Sequence, residues 1–200
     1  AGELVLAAAA EFASKLQDAT RTADKDMMGL MDTIQRMSYL GVDQNDMLES
    51  FKGLGPAMDL IKRQGLDGAK ALAPFVVIMD QAGMRGESAG NAIRKVMSRG
   101  LDVDKIKKVQ DDLRKSKGIN LDLDFTNGKG EFGGIDKLMG ELSKLKKFDT
   151  VTRLSILKDI YGDDKETNEV LSKIVDKGKA GYEDVIARME SQAALQERVN

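Results

Sequence analysis

The sequence predicts an all-α chain: a multi-helix bundle of short to medium amphipathic helices, with one small β-hairpin near residues 121–132. Three observations predict it. Apolar residues recur at intervals of three and four along most of the chain, the spacing that sets them on one helix face. Glycines punctuate these stripes at Gly41, Gly65, Gly83, Gly100, Gly118, Gly162 and Gly178, where a helix can end in a left-handed conformation that a Cβ disfavours. No apolar run approaches the ~20 residues of a bilayer span, so each stripe has to bury against a neighbouring helix.

The elements follow in order. The opening run Leu4-Val5-Leu6-Ala7-Ala8-Ala9-Ala10 is short and follows Glu3 rather than a basic segment, which argues against a signal peptide. The chain starts at Ala1 rather than Met and reads as a piece of a longer protein. Met27, Met31 and Ile34 share the next helix face. Met28 and Met37 lie off that stripe and leave room for a second contact face, although methionine is foremost a core filler. Asp43 caps the helix after Gly41, and Pro56 divides or kinks the segment from 44 to 64. The following helix is expected to start or bend near Pro74. Ala89, Ala92, Ile93, Val96 and Met97 form one stripe; Val103, Ile106, Val109 and Leu113 form another on a highly charged helix.

Helical spacing then gives way. Leu121-Asp122-Leu123-Asp124-Phe125 alternates with period two and leads through Thr126-Asn127-Gly128-Lys129-Gly130 to Glu131-Phe132, a strand, turn and short return strand. Beyond it, Ile135, Leu138, Met139, Leu142 and Leu145 form the clearest stripe. Asp149 caps a helix through Tyr161, and Asp163 with Glu166 reads as a capping box. Val170, Leu171, Ile174 and Val175 share a face, and Tyr182, Ile186, Met189 and Ala193 line the last helix. The organisation expected is a helical region over 1–117, then a hairpin plus C-terminal helices over 118–200, packed as one domain or two subdomains.

Composition narrows the chemistry. Apolar residues make up 42% and charged residues 32%, enough for a core and a solvated surface. There is no cysteine for thiolate chemistry or disulfides, and no histidine, the commonest metal ligand and neutral-pH base. A net charge of −2 gives no electrostatic pull toward nucleic acid or an anionic membrane.

The apparent motifs fail on inspection. Counted from Asp122, a calcium loop would need Gly at position six and Glu at twelve, where Asn127 and Gly133 stand. Gly83, Gly86 and Gly90 ahead of Lys95 lack the Gly-Lys-Ser/Thr end of a phosphate loop. Lys105, Lys107, Lys108, Arg114, Lys115 and Lys117 interleave with Asp102, Asp104, Asp111 and Asp112 and have no aromatics among them, as on a solvated helix face. No residue is therefore assigned as catalytic, cofactor-binding or metal-ligating, no cofactor is expected, and the chain is not read as an enzyme.

The segment Gly83-Met84-Arg85-Gly86-Glu87-Ser88-Ala89-Gly90-Asn91-Ala92-Ile93-Arg94 resembles the signature of phage tail tape measure proteins: a Gly-x-x-Gly-x-x-Ala-Gly turn, then a helix with a small residue, an apolar residue and an arginine. The resemblance extends through the hairpin Asp124 to Phe132, the helix from Gly134 to Leu145, and Thr152-Arg153-Leu154 leading to Ile160-Tyr161-Gly162. It covers roughly residues 40 to 199. Its signature positions are Gly83, Gly86, Ala89, Gly90, Ile93, Arg94, Tyr161 and Gly162, with a structural role.

The resemblance implies a virion structural protein of a phage or prophage tail that acts in tail assembly and tail-length determination. It would be built in the host cytoplasm and reside in the virion tail. Its partners would be the tail tube protein, tail assembly chaperones and tail-tip proteins, with self-association admitted and no nucleic-acid or membrane binding by this segment. Two other readings stand beside it: a generic helical interaction or chaperone-like module, and a peptidoglycan hydrolase, which would need two placed carboxylates.

Overall fold

In the computed structural model, which describes residues 2–192 and residue 197, ten α-helices follow one another among the described residues: α1 Gly2–Thr20, α2 Met27–Tyr39, α3 Gln44–Lys52, α4 Gly55–Ile61, α5 Gly65–Gln81, α6 Gly86–Arg99, α7 Val103–Lys117, α8 Ile135–Ser143, α9 Thr150–Tyr161 and α10 Lys165–Glu190. Short 3-10 turns precede α2 and follow α8. The chain is an all-α bundle, as its periodicity predicts. No helix among the described residues is long and apolar enough to cross a membrane. The chain forms two compact units, residues 1–94 with 184–200, and residues 95–183.

In the first unit α5 is the central helix. Every residue from Leu72 to Asp80 is buried, and a helix covered on all sides is one that other elements surround. α2 packs on it, while α1 packs along α3. The helix does not start at Pro74: it begins nine residues earlier, at Gly65, and carries the proline inside. A proline there removes one backbone donor and costs about 3 kcal/mol. Burial of Leu72, Phe75, Val76 and Ile78, all inaccessible or nearly so, returns about 1.5–3 kcal/mol each and outweighs it. Pro56 does divide its segment: it stands in the first turn of α4, where the missing N–H has no intrahelical partner anyway. Asp43 caps α3 by accepting from the amides of Asn45 and Asp46.

The α2 stripe is corrected. Its buried residues are Leu30, Thr33, Ile34 and Met37, whereas Met27 and Met31 are half-buried at the edge. Two helical stripes overlap in this sequence, and packing on α5 and α3 selects the one through branched Leu30. Met37 is thus core, and of the two outlying methionines only Met28 is exposed.

In the second unit the stripes of α7, α8 and α10 supply the core. Ile106, Val109 and Leu113 are buried, but Val103, the first residue of α7, is 55% exposed. Ile135, Leu138, Met139, Leu142 and Leu145 are all buried, as are Val170, Leu171, Ile174 and Val175. Asp149 caps α9, its carboxylate accepting from the Thr152 amide at 2.8 Å. The cap of α10 is Asp164, one residue past the expected Asp163. Asp164 accepts from both the amide and the hydroxyl of Thr167, whereas the equivalent residue counted from Asp163 is Glu166, which has no hydroxyl to add. α10 breaks at Gly178, which takes φ 65° and ψ −166°, and the next amide, of Lys179, donates to the Ser143 hydroxyl. Toward the end of α10, Tyr182 is buried in this unit, while Val185 and Met189 are buried and Ile186 half-buried in the first unit, to which residues from 184 on belong; the expected Ala193 lies outside the described residues.

The expected hairpin shrinks to a single antiparallel bridge between Thr126 and Phe132, and no strand forms among the described residues. Burial still alternates, with Leu121, Leu123 and Phe125 inside and Asp122 and Asp124 outside. The flanking helices take the backbone groups that a return strand would have paired. The Leu123 amide donates to Gln110 Oε1 of α7, and the Asp122 carbonyl accepts from Lys144 Nζ just past α8. Asp124 and Asn127 then hold the turn through their own side chains.

Candidate functional site

The signature positions begin where α5 stops. Gly83 takes φ +96°, its amide donates to the Asp80 carbonyl at 3.0 Å, and the Met84 amide donates to the Met79 carbonyl at 2.9 Å. This is the paired 5→2 and 6→1 closure that satisfies the last carbonyls of a helix, and it needs the left-handed residue that glycine supplies. Across the turn Arg85 forms an ion pair with Asp80 at 3.0 Å. Burial raises the Asp80 carboxyl above its ordinary value, against the opposing pull of Arg85.

α6 then crosses α3 at backbone contact. The Ser50 hydroxyl donates to the Gly86 carbonyl at 2.8 Å. A Cβ at Gly90 would lie 2.5 Å from the Ser50 carbonyl oxygen, so glycine is a condition of the crossing. Ala89 and Ile93 are fully buried on the same helix. Arg94 stands apart: it is exposed and, among the described residues, its hydrogen bond is to Asn91 on its own helix, at 3.3 Å.

In the second unit, Tyr161 is fully buried at the end of α9, and Gly162 follows with φ +95°. Arg99 Nη1 donates to the Tyr161 carbonyl at 2.7 Å, and a Cβ at Gly162 would stand 2.7 Å from that same nitrogen. Burial pushes the Tyr161 hydroxyl far above the usual phenol range. Neither that hydroxyl nor Asn168 Oδ1 has a hydrogen-bond partner among the described residues.

Sequence reasoning passed over three residues that hold this framework. Ser50 looks like any polar residue of an amphipathic helix, and only the tertiary crossing reveals its role. Arg99 reads as an ordinary basic residue in a last turn. Arg153 stands in the run Thr152-Arg153-Leu154 with no local feature that marks it as buried. It is 4% exposed, and its guanidinium donates to the carbonyls of Leu145, Lys146, Phe148 and Ser172 and to Asp176. A planar fork of five donors suits that arrangement as a lysine could not.

Asp80 and Arg153 are the buried charged residues among the described ones, and each is engaged in holding turns and helix ends. No group of three or more carboxylates among the described residues is placed to hold a metal ion. The geometry performs packing: it stops one helix, starts the next and lets two backbones touch. No curated protein and no solved structure matches the chain. A family model described as phage-related minor tail protein matches residues 1–162, four-fifths of the chain, so the chain belongs to the phage-related minor tail protein family.

Proposed function

We propose that this chain is a structural, non-enzymatic module of a tail tape measure protein, acting in tail assembly and tail-length determination. The observation that carries the reading is the use made of the signature positions. Gly83, Gly86, Ala89, Gly90, Ile93, Tyr161 and Gly162 all serve helix termination or helix contact, and Arg94 is left to solvent. In this reading the partners are the tail tube protein, assembly chaperones and tail-tip proteins, met first in the host cytoplasm and then in the virion tail.

The folded form described above is a pre-assembly or tip-anchoring state, and its separate amphipathic stripes repack when the tube forms around the chain. The support is the glycine punctuation between stripes, which lets segments reorient without breaking any one helix. A fully helical chain laid end to end rises about 1.5 Å per residue, far more length than a bundle supplies.

In-frame deletion and in-frame duplication of the coding segment for residues 40–199 test the ruler role, with tail lengths measured by electron microscopy. A ruler shortens or lengthens the tail by up to about 1.5 Å for each residue removed or added. Tails of unchanged length in the duplication would overturn it and favour an interaction module without ruler function.

A further inference from the structure

The turn at 124–131 gathers a nucleophile, a proton acceptor and an oxyanion site around one side chain. Asn127 is followed by Gly128, and both are exposed. The Gly128 amide donates to the Thr126 hydroxyl at 3.1 Å, and that hydroxyl donates to the Asp124 carboxylate at 2.7 Å. The proton on the Gly128 nitrogen thus has a continuous path through a hydroxyl to an acid group. The Asn127 side-chain oxygen accepts from two backbone amides, of Lys129 at 2.8 Å and of Glu131 at 3.3 Å. Two donors fixed on a carbonyl oxygen draw electrons from its carbon, and they stand ready for the negative charge that an attack there creates. Gly128 takes φ +80° and has no side chain to shield its nitrogen.

We propose that the fold makes Asn127–Gly128 a self-modifying site, which converts Asn127 to aspartate or isoaspartate faster than its local sequence does alone. Thr126 passes the Gly128 proton to Asp124, and the Gly128 nitrogen bonds to Asn127 Cγ. The Cγ–Nδ2 bond then breaks, and ammonia leaves with a proton returned from Asp124 through water. Water adds to either carbonyl of the resulting cyclic imide and opens it. Thr126 touches the reacting nitrogen; Asp124 is a positioning residue that orients the hydroxyl and takes its proton. The Asp124 carboxyl is held below its ordinary value, first by the Thr126 hydroxyl and then by the Thr126 amide, so it is ionised at neutral pH. Lys137 of α8 stands 3.6 Å from its other oxygen, and Asp122 with Lys107, Asp111 and Arg114 of α7 lines the same groove. The reaction turns over once, on the chain's own side chain, and takes no external substrate. An isoaspartate adds a backbone carbon inside the loop that the Asn127 amide closes on the Glu131 carbonyl at 2.8 Å, so the product loosens the bridge between Thr126 and Phe132.

The test incubates the full chain over a range of pH and follows residue 127 by peptide-mapping mass spectrometry, with a free peptide of residues 121–133 as reference. The folded chain is expected to deamidate at Asn127 about tenfold faster than the peptide, below the usual contribution of a placed base because a carboxylate is a weak one. Between about pH 5 and 7 its rate should stay nearly level, because Asp124 and not hydroxide takes the proton. The rate of the peptide should rise steeply over the same range. Thr126→Val and Asp124→Asn should each bring the folded chain down to the rate and the pH slope of the peptide, while Thr126→Ser keeps the parent's rate and profile. The Lys129 and Glu131 amide resonances check that the turn persists in each variant; where it does not, the comparison of parent chain with peptide decides. A folded chain no faster than the peptide, a parent rate that follows hydroxide throughout, or a folded Asp124→Asn chain with the parent's profile would overturn the proposal.

Discussion

Gly90 and Ser50 meet backbone to backbone: a Cβ at residue 90 would lie 2.5 Å from the Ser50 carbonyl oxygen. Gly90→Ala is therefore expected to destabilise the chain, although alanine is the better helix former by ~1 kcal/mol. Relieving a clash against backbone moves two helices, an overpacking cost of about 1–3 kcal/mol, so the expected net loss is up to about 2 kcal/mol. Gly140→Ala is the internal control. It also lies inside a helix, but its nearest neighbour, Lys179 Cδ, is 3.9 Å away, so it should gain about 0.5–1 kcal/mol. Denaturant unfolding of both variants checks the opposite signs.

Arg153 predicts a larger effect. Arg153→Met removes the charge-assisted hydrogen bonds to four carbonyls and to Asp176, a loss of about 3 kcal/mol. Arg153→Lys should recover little of it, since an ammonium cannot reproduce the fork. Asp176→Asn should cost below about 1 kcal/mol, because that carboxylate is 65% exposed. Chemical unfolding of the three variants gives the ranking.

Tyr161→Phe is expected to raise stability by about 1 kcal/mol. The hydroxyl is buried and has no partner among the described residues, so the fold bears its desolvation without a compensating bond. A loss of stability in thermal unfolding would show instead that an internal water serves it.

The two kinds of perturbed carboxylate give opposite pH slopes. Asp164 is held below the ordinary value of ~3.9, first by the Thr167 hydroxyl and then by its amide. Its contribution is present above that value and is lost as pH falls through the lowered one. Asp80 is raised, chiefly by burial, so its protonated form favours folding, and that contribution fades as pH rises through the raised value. Between pH 2 and 7, Asp164→Asn should flatten the acid-side loss of stability, and Asp80→Asn should remove a decline on the rising side. Stability curves of the two variants against the parent chain check both slopes.

Local rules made much of this fold legible. Asp43, Asp149 and Pro56 act within a few residues of where they stand, and the stripes of α6, α8 and α10 are narrow enough to have one buried solution. Errors arose where tertiary partners choose between local options. Met37 is core because α5 and α3 select the stripe through Leu30, and α5 runs through Pro74 because burial on every side outweighs a lost donor. The hairpin pattern at 121–132 was real in its alternation, but Gln110 and Lys144 took the ladder bonds. Gly83 and Gly162 were legible as helix ends, whereas Gly90, expected in the turn, lies inside α6; that it faces Ser50, or that Arg99 reaches Tyr161, joins positions tens of residues apart, which no local spacing encodes.

The central claim is that this module serves the tail through packing and not through reactive groups. The most direct measurement is complementation of a phage lacking this segment, with assembled tails counted by electron microscopy for Gly90→Ala, Gly140→Ala, Arg153→Met and a variant with the exposed Asp104 and Asp159 neutralised. Tail yield is predicted to follow measured stability, falling for Gly90→Ala and Arg153→Met and holding for the other two. Normal tails from both unstable variants, or loss of tails from the fully stable neutralised one, would contradict the account.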